Sequence, residues 1–399
     1  MEFKIKQSVL KEELGFIQGV VERKTTIPVL SNILIESIGE KEIRVVGTDL
    51  DCTIRCDAEA EIIQAGAMCV QARKLFDIVR ALNPGDVHFK KEENEWVTLK
   101  AGRTNYRLAG VNREQFPEIP QFKSTPMKLP AEVFGFFVRN TAFAITNEQS
   151  RFTLSGAKFI IGDGRAKMVT TDGHRLAYVE REIDDKEGVM DTLIPKKALL
   201  ELVKLSRGLG DVAFGEDPNH IYFETEGRLL ITRKLSGNFP NYEMVMPKDN
   251  DHVANFDLEE MRSAVRRMSL IADERNRSIR LTVREGEVEV SAQSSEQGEG
   301  TEAVQADYTG EEMQLGFNWQ YLLEFLQNVG SAEMIAAESV EETGDATVKE
   351  TDGDKVRVRE TGTPVRIAFE FKDPNAQTQL SIAGETTYDY KYIVMPLRI

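Results

Sequence analysis

Six stretches of the chain repeat apolar residues at intervals of three and four, and most of what lies between them alternates apolar with polar residues. The first pattern turns one face of a helix toward a core, and the second fills one face of a strand. Helices are predicted over 8–23, 131–145 and 258–272, and a second set over 72–82, 196–205 and 318–329. Runs such as NILIESI from Asn32, KFIIGD from Lys158 and SIRLTV from Ser278 follow the first set and predict antiparallel strands. Pro130 ahead of AEVFGFF and Asp257 ahead of LEEM are sound helix starts. Proline lacks a donor where none is needed, and aspartate accepts from the free N–H groups of the first turn.

The elements recur at a fixed spacing. GDVHF at Gly85 and GDVAF at Gly210 lie 125 residues apart, and the FP pairs at Phe116 and Phe239 lie 123 apart. The helix ARKLFDIVRAL matches KKALLELVKL at an offset of 124, and Asp49 of GTDLD precedes Asp172 by 123. A fainter third copy places Leu323-Glu324-Phe325-Leu326 another 123 residues beyond its counterpart at Leu200. Agreement across several features predicts three domains of one α+β design, each with two helices and antiparallel sheets. The expected boundaries are 1–124, 125–249 and 250–399, with linkers in FPEIPQFKSTPMKLP and MPKDNDH. Within each copy the helix-then-strands order itself repeats, which points to a pseudo-symmetric duplicate.

The octet TTDGHRLA, Thr170 to Ala177, sets an aspartate, a glycine, a histidine and an arginine side by side, as an acid/base centre could. The remaining histidines, His88, His220 and His252, lie in no motif that would complete a triad or a metal site, so a hydrolase or transferase using Asp172 and His174 lacks a nucleophile and a substrate motif. Gly162-Asp-Gly164 and Gly298-Glu-Gly300 are turn-like glycine pairs, not phosphate loops. Cys52, Cys56 and Cys69 form no CxxC pair, and the N-terminus lacks a secretory pattern. Together with the absence of a long apolar run, this predicts a cytoplasmic, non-membrane protein with reduced core thiols, no cofactor and no metal.

Formal net charge is −16, which argues against a polyanionic partner if charge is spread evenly. It is not spread evenly. Counted with their flanking residues, over 8–24, 72–82, 131–146, 195–208, 257–268 and 318–330, the six helices together carry +4, leaving −20 for the strands and loops. Such helices are either solvated basic faces or a common surface for a polyanion, which they would hold by its backbone without reading sequence.

RFTLSG from Arg151, TTDGHRLA, GNFPNYEMVMP from Gly237, GFNWQYLLEFL from Gly316 and the terminal YIVMPLRI resemble, in order and spacing, segments of the bacterial DNA polymerase III beta subunits, the sliding clamps. The resemblance covers essentially the whole chain. It implies a head-to-tail homodimer of three-domain protomers, a ring with helices inside around duplex DNA, and no catalytic residue. It implies a DNA-facing set of Arg23, Lys24, Arg73, Lys74, Arg80, Gln149, Lys196, Lys197, Lys204, Arg266 and Arg267. It also implies a cleft for the Gln/Leu/Phe-rich motifs of the polymerase III alpha subunit, the clamp loader, translesion polymerases and repair proteins. Position by position, that cleft comprises Leu154, Thr171, Gly173, His174, Arg175, Leu176, Pro240, Val245, Asn318, Tyr321, Val394, Met395, Pro396, Leu397 and Arg398. Leucine, valine, methionine and proline would form an apolar trough, with His174, Arg175 and Asn318 as polar handles at its edge.

Glu243 and Met244 stand where the family often has a basic residue, and Asn276 where an aromatic occurs. An apparent insertion, Glu338 to Thr363, is rich in Glu, Asp, Thr and Gly and reads as a solvated loop on an outer face. A monomeric interaction scaffold that never encircles DNA is the alternative reading.

Overall fold

The helical periodicity forms α1 (Gln7–Ile17), α2 (Ala72–Ala81), α3 (Ala131–Thr141), α4 (Lys196–Leu205), α5 (Leu258–Met268) and α6 (Trp319–Glu338). The computed structural model describes residues 1–22, 26–121, 126–148, 150–208, 210–338 and 365–398, with the side chains of 330–338 excepted. Arg23, Lys24, Gln149 and almost all of the 338–363 insertion therefore lie outside the described residues.

The helices depart from expectation mainly at their ends. α1 stops at Ile17, six residues before Arg23, where Gly19 and the β-branched Val20 and Val21 weaken helix propagation. Gly19 also makes room for its neighbour, since a Cβ there would overlap the Glu201 carboxylate. α5 ends at Met268, four residues short of Ala272, and α6 continues nine residues past Val329 through the good helix formers of SAEMIAAE. Asp257 caps α5 as expected, its Oδ1 accepting from Glu259 N at 2.8 Å and Glu260 N at 2.9 Å.

Two compact units divide the chain, Met1–Gly135 with Thr192–Ser236 and Phe136–Asp191 with Gly237–Ile399. In the first unit one sheet runs in the order Glu61–Gln64, Glu2–Lys6, Asp86–Lys91, Val97–Ala101, Thr104–Leu108. A larger sheet runs Gly110–Val111, Ala67–Gln71, Asn32–Ile38, Glu42–Thr48, Cys52–Glu59, Arg228–Arg233, His220–Thr225, Asp211–Glu216, Met127–Pro130. In the second unit a continuous sheet runs Gly156–Gly162, Arg165–Thr171, Arg175–Glu182, Tyr388–Val394, Thr378–Ile382, Arg366–Phe371, His252–Asp257, Gly298–Asp307, Glu287–Ser294, Ser278–Arg284, Met313–Asn318.

These sheets cross the boundaries of the sequence repeat. Arg228–Thr232 pairs antiparallel with Cys56–Cys52, and Arg175–Arg181 with Val394–Tyr388. Ladder hydrogen bonds thus join each copy to the next, and compactness divides the chain through the middle of the second copy.

Aromatic clusters fill the cores: Phe134 against Phe214 and Phe223 in the first unit, Phe325 stacked on Tyr392 with ring centroids 4.9 Å apart in the second. Cys52, Cys56 and Cys69 are free and buried, and burial pushes the Cys69 thiol up to about 11. Among the described residues no helix is long and apolar enough to cross a membrane.

Candidate functional site

The octet forms the hairpin turn between two central strands of the second unit's sheet. Asp172 Oδ1 accepts from His174 N at 3.0 Å and Arg175 N at 3.1 Å, while Thr171 Oγ1 accepts from Gly173 N at 3.0 Å and donates to Arg175 O at 2.6 Å. Gly173 has φ +91°, a left-handed backbone that favours glycine, although a Cβ there would meet only the movable end of Arg151, with Nη1 at 2.9 Å. The Asp172 carboxylate serves the turn and the Arg175 Nε at 3.0 Å. The His174 imidazole is exposed and stacks on Tyr321, 6.5 Å between centroids and 20° between planes. The pair is a turn closure beside an aromatic wall, with no acid/base geometry.

The chain after Val394 hangs from this turn. Met395 N donates to His174 O at 3.0 Å, and Leu397 N donates to Gly316 O at 2.7 Å, so Met395–Leu397 bridges the turn and the strand Met313–Asn318. Val394 is fully buried, Pro396 and Leu397 are half-buried, Arg398 is exposed, and Met395 presents 42 % of its surface. Leu154, Thr171 and Leu176 are buried beneath the rim. Leu176 packs with Val169, Tyr178 and Ile393, and Phe239, Tyr242 and Met246 cover that cluster, which brings the segment holding Pro240 and Val245 to the same place. Pro240 and Val245 are exposed.

Two expected handles have other tasks. Asn318 caps α6, its Oδ1 accepting from Gln320 N at 3.0 Å. Arg175 is not an edge group, because its side chain is only 6 % exposed. Nη1 donates to Glu324 Oε2 at 2.5 Å and Nη2 to Phe143 O at 2.7 Å, with the guanidinium 4.4 Å from the Tyr321 ring centroid. Burial disfavours its charge, but Tyr392, Glu324 and Asp172 more than offset this and hold the guanidinium above its ordinary range.

Sequence reasoning missed Phe152, 69 % exposed beside predicted positions, and Glu324 and Phe143 beneath the rim, and it noted Met244, 80 % exposed, only as a departure from the family. Exposed large apolar side chains flanking a groove are the surface signal that a pattern reading treats as ordinary strand ends. A recess of about 510 Å³ on the same unit opens between the 269–277 segment and α6, lined by Glu274, Arg277, Trp319, Leu323 and the same Glu324 among others.

Among the described residues, the expected cations differ in exposure. Arg73, Lys74 and Arg266 are exposed with no ion pair among the described residues, while Arg80 pairs with Asp77 at 3.3 Å and Arg267 with Glu302. Lys196 is half-buried. Lys197 donates to Asp49 Oδ2 at 2.5 Å and Val20 O at 3.2 Å, and Lys204 to Glu201 at 2.7 Å, so these two are tied locally in the first unit. Among the described residues no cluster of His, Cys, Asp and Glu could hold a metal ion.

Three family models match in succession: the N-terminal domain of the DNA polymerase III beta subunit over 1–120, its central domain over 128–241 and its C-terminal domain over 243–340. The beta sliding clamp of Pseudomonas putida is 31 % identical, with both chains covered in full. The crystal structure of the DNA polymerase III beta subunit from Pseudomonas aeruginosa superposes with a TM-score of 0.85 at 28 % identity, covering 100 % of each chain. A sliding clamp structure from the same organism bound to griselimycin gives the same score, identity and coverage.

Proposed function

Because the chain belongs to the family of the DNA polymerase III beta subunits, the beta sliding clamps, which are non-catalytic processivity factors, we propose that two copies close head to tail into a ring around duplex DNA and that the groove at 171–175 docks its client proteins. Each protomer contributes clamp domains at 1–124, 125–249 and 250–399. The ring works in the cytoplasm and tethers the polymerase III alpha subunit, the clamp loader, translesion polymerases and repair proteins through short Gln/Leu/Phe-rich tails.

Charge distribution supports the DNA part of this reading. The basic excess lies on α2 and α4, each net +2, and on α5, net +1, against −17 for everything outside the six helices, so phosphates would be held loosely along those three helices and repelled elsewhere. Arg73, Lys74 and Arg266, exposed on α2 and α5, are the lead contacts, and Arg80, Lys196 and Arg267 extend them. Lys197 and Lys204 contribute field more than contact, given their local partners. Contacts of this kind carry no sequence information, which suits a ring that slides.

One observation carries the docking part: Met395, exposed and suspended between His174 and Gly316, beside the stacked His174–Tyr321 pair. A flexible thioether next to an aromatic wall accepts leucine and phenylalanine side chains of several partners. Phe152 and Met244 widen the apolar surface toward the upstream end of such a tail.

Fluorescence polarisation of a labelled peptide ending in a Gln-Leu-x-Leu-Phe motif tests it. The intact chain should bind saturably, and a chain lacking Met395–Ile399 should not. Light scattering on the intact chain should give twice 45.0 kDa. A folded chain that ignores the peptide rules out the groove, and a solution mass of 45.0 kDa favours the monomeric scaffold.

A further inference from the structure

We infer that Arg175 is a positioning residue of the groove: it holds the Tyr321 ring and the 171–175 turn in the geometry that accepts a peptide, acting through Glu324, Phe143 and Asp172 without touching the ligand. The inference rests on the docking reading above. It differs from that reading in removing Arg175 from the contact surface and in bringing Glu324, one turn beyond Tyr321 on α6, into the function of the groove.

The hydrogen-bond inventory of the guanidinium leads there. Nε donates to Asp172 Oδ2 at 3.0 Å, Nη1 to Glu324 Oε2 at 2.5 Å and Nη2 to Phe143 O at 2.7 Å. With its side chain 6 % exposed, a donor from each of its three nitrogens engaged and Tyr392 hydrogen-bonded beside it, Arg175 presents almost no surface to a ligand. The guanidinium plane nevertheless lies 4.4 Å from the Tyr321 ring centroid, and the His174 ring stacks on the same tyrosine. Tyr321 is held at its backbone as well, its carbonyl accepting from Tyr392 Oη at 3.0 Å. The ring that faces the groove is thus set between a fixed cation and a histidine whose own backbone carbonyl carries Met395. Three rim features converge on one buried arginine.

Glu324 is held in turn. Its Oε1 accepts from Gln320 Nε2 at 2.8 Å, and Arg277 donates to the Gln320 oxygen. The carboxylate therefore cannot rotate away from Arg175 without breaking a second contact. Preorganisation of this kind raises affinity by lowering the ordering cost at binding, not by adding contacts.

A double-mutant cycle on peptide affinity distinguishes positioning from general stabilisation. Arg175→Met and Tyr321→Leu are each expected to raise the Kd of the Gln-Leu-x-Leu-Phe peptide about tenfold, the scale of coupled contacts. The double variant should bind no more weakly than the worse single one. Glu324→Gln leaves Arg175 in place and removes one charged arm, so it should weaken binding severalfold; cycled against Tyr321→Leu, it carries the test if Arg175→Met does not fold. Met395→Ala serves as the groove control. Additive losses in both cycles, or an unchanged Kd in folded Arg175→Met, overturn the inference while leaving the groove intact. A wild-type chain that binds no peptide overturns the docking reading, and this inference falls with it.

Discussion

The junction between the first and second copies and the junction between the second and third are the same structure put to different ends. In each, the last strand of one copy pairs antiparallel with a central strand of the copy before it, next to a turn closed by an aspartate. Asp49 Oδ1 accepts from Asp51 N and Cys52 N as Asp172 Oδ1 accepts from His174 N and Arg175 N. Arg233 N donates to Asp51 O as Met395 N donates to His174 O. What stands at matching positions differs throughout. Cys52 replaces Arg175, Ala198 replaces Tyr321 and Arg233 replaces Met395, the first two at the repeat spacing of 123. Arg228, opposite Cys56, reaches back to Glu12, Glu13 and the ring of Phe16, whereas Tyr390, opposite Val179, reaches back to Asn140 O. The first junction is an ionic brace without an apolar lip. The second places its buried arginine under a tyrosine and leaves methionine at the edge. On the proposed docking reading, one aspartate-closed turn serves an ionic brace at the first junction and a recognition site at the second.

The largest expected effect separates the brace from the groove. Arg228 donates to both oxygens of Glu13, at 2.7 and 3.0 Å, and their side chains are 13 % and 9 % exposed. Arg228→Met strands a buried carboxylate and should cost about 3–5 kcal/mol in urea denaturation. Arg228→Met combined with Glu13→Leu should recover most of that loss. Peptide affinity should not move, since the pair lies in the other unit from the groove. A loss under about 1 kcal/mol would mean that the pair is solvated and the brace is not ionic. Next in size, Met395→Glu should weaken peptide binding tenfold to a hundredfold, from roughly 1.5–3 kcal/mol of apolar contact. Arg233→Glu, at the matching position of the first junction, should leave it unchanged. Equal effects from the two would dissolve the distinction between the junctions.

Much of this contrast is written locally and was legible. The repeat spacing, the Asp257 cap, the turn at Gly173 and the apolar run before Arg398 depend on residues within a few positions of one another. What escaped depends on partners far along the chain. Arg175 reads as an exposed handle until Glu324, 149 residues away, is seen to bury it. Lys197 reads as a free cation until Asp49, 148 residues away, is seen to hold it. The continuous sheets escaped for the same reason, because an alternating strand does not state which neighbour it pairs with. Helix ends slipped where apolar spacing continued past a weak helix former, as at Gly19 beside Glu201.

A third aspartate turn isolates what the charge in such turns contributes. Asp217 Oδ1 accepts from Asn219 N and His220 N, both at 2.7 Å, but its Oδ2 takes a phenol, Tyr222 Oη at 2.6 Å, where Asp49 and Asp172 take a cation. Burial raises the Asp217 carboxyl, and the hydrogen bonds from Tyr222, Asn219 and His220 outweigh it, bringing the group down to about 2. A carboxyl whose folded value lies below its unfolded one stabilises the fold above the ordinary carboxylate range, and that contribution fades as pH falls from about 4 toward 2. Asp217→Asn keeps the turn's Oδ1 acceptor and removes the charge together with the Oδ2 acceptor that Tyr222 uses. The stability gap between wild type and variant should therefore be about 1 kcal/mol at pH 6, after discounting for a side chain 39 % exposed, and should shrink as pH falls below about 4, closing only below about pH 2. Urea midpoints of the two proteins across that range decide the matter. A gap that stays constant with pH would assign the stabilisation to the geometry of the turn alone, and the cations at the other two turns would then matter for what they position and not for the charge they neutralise.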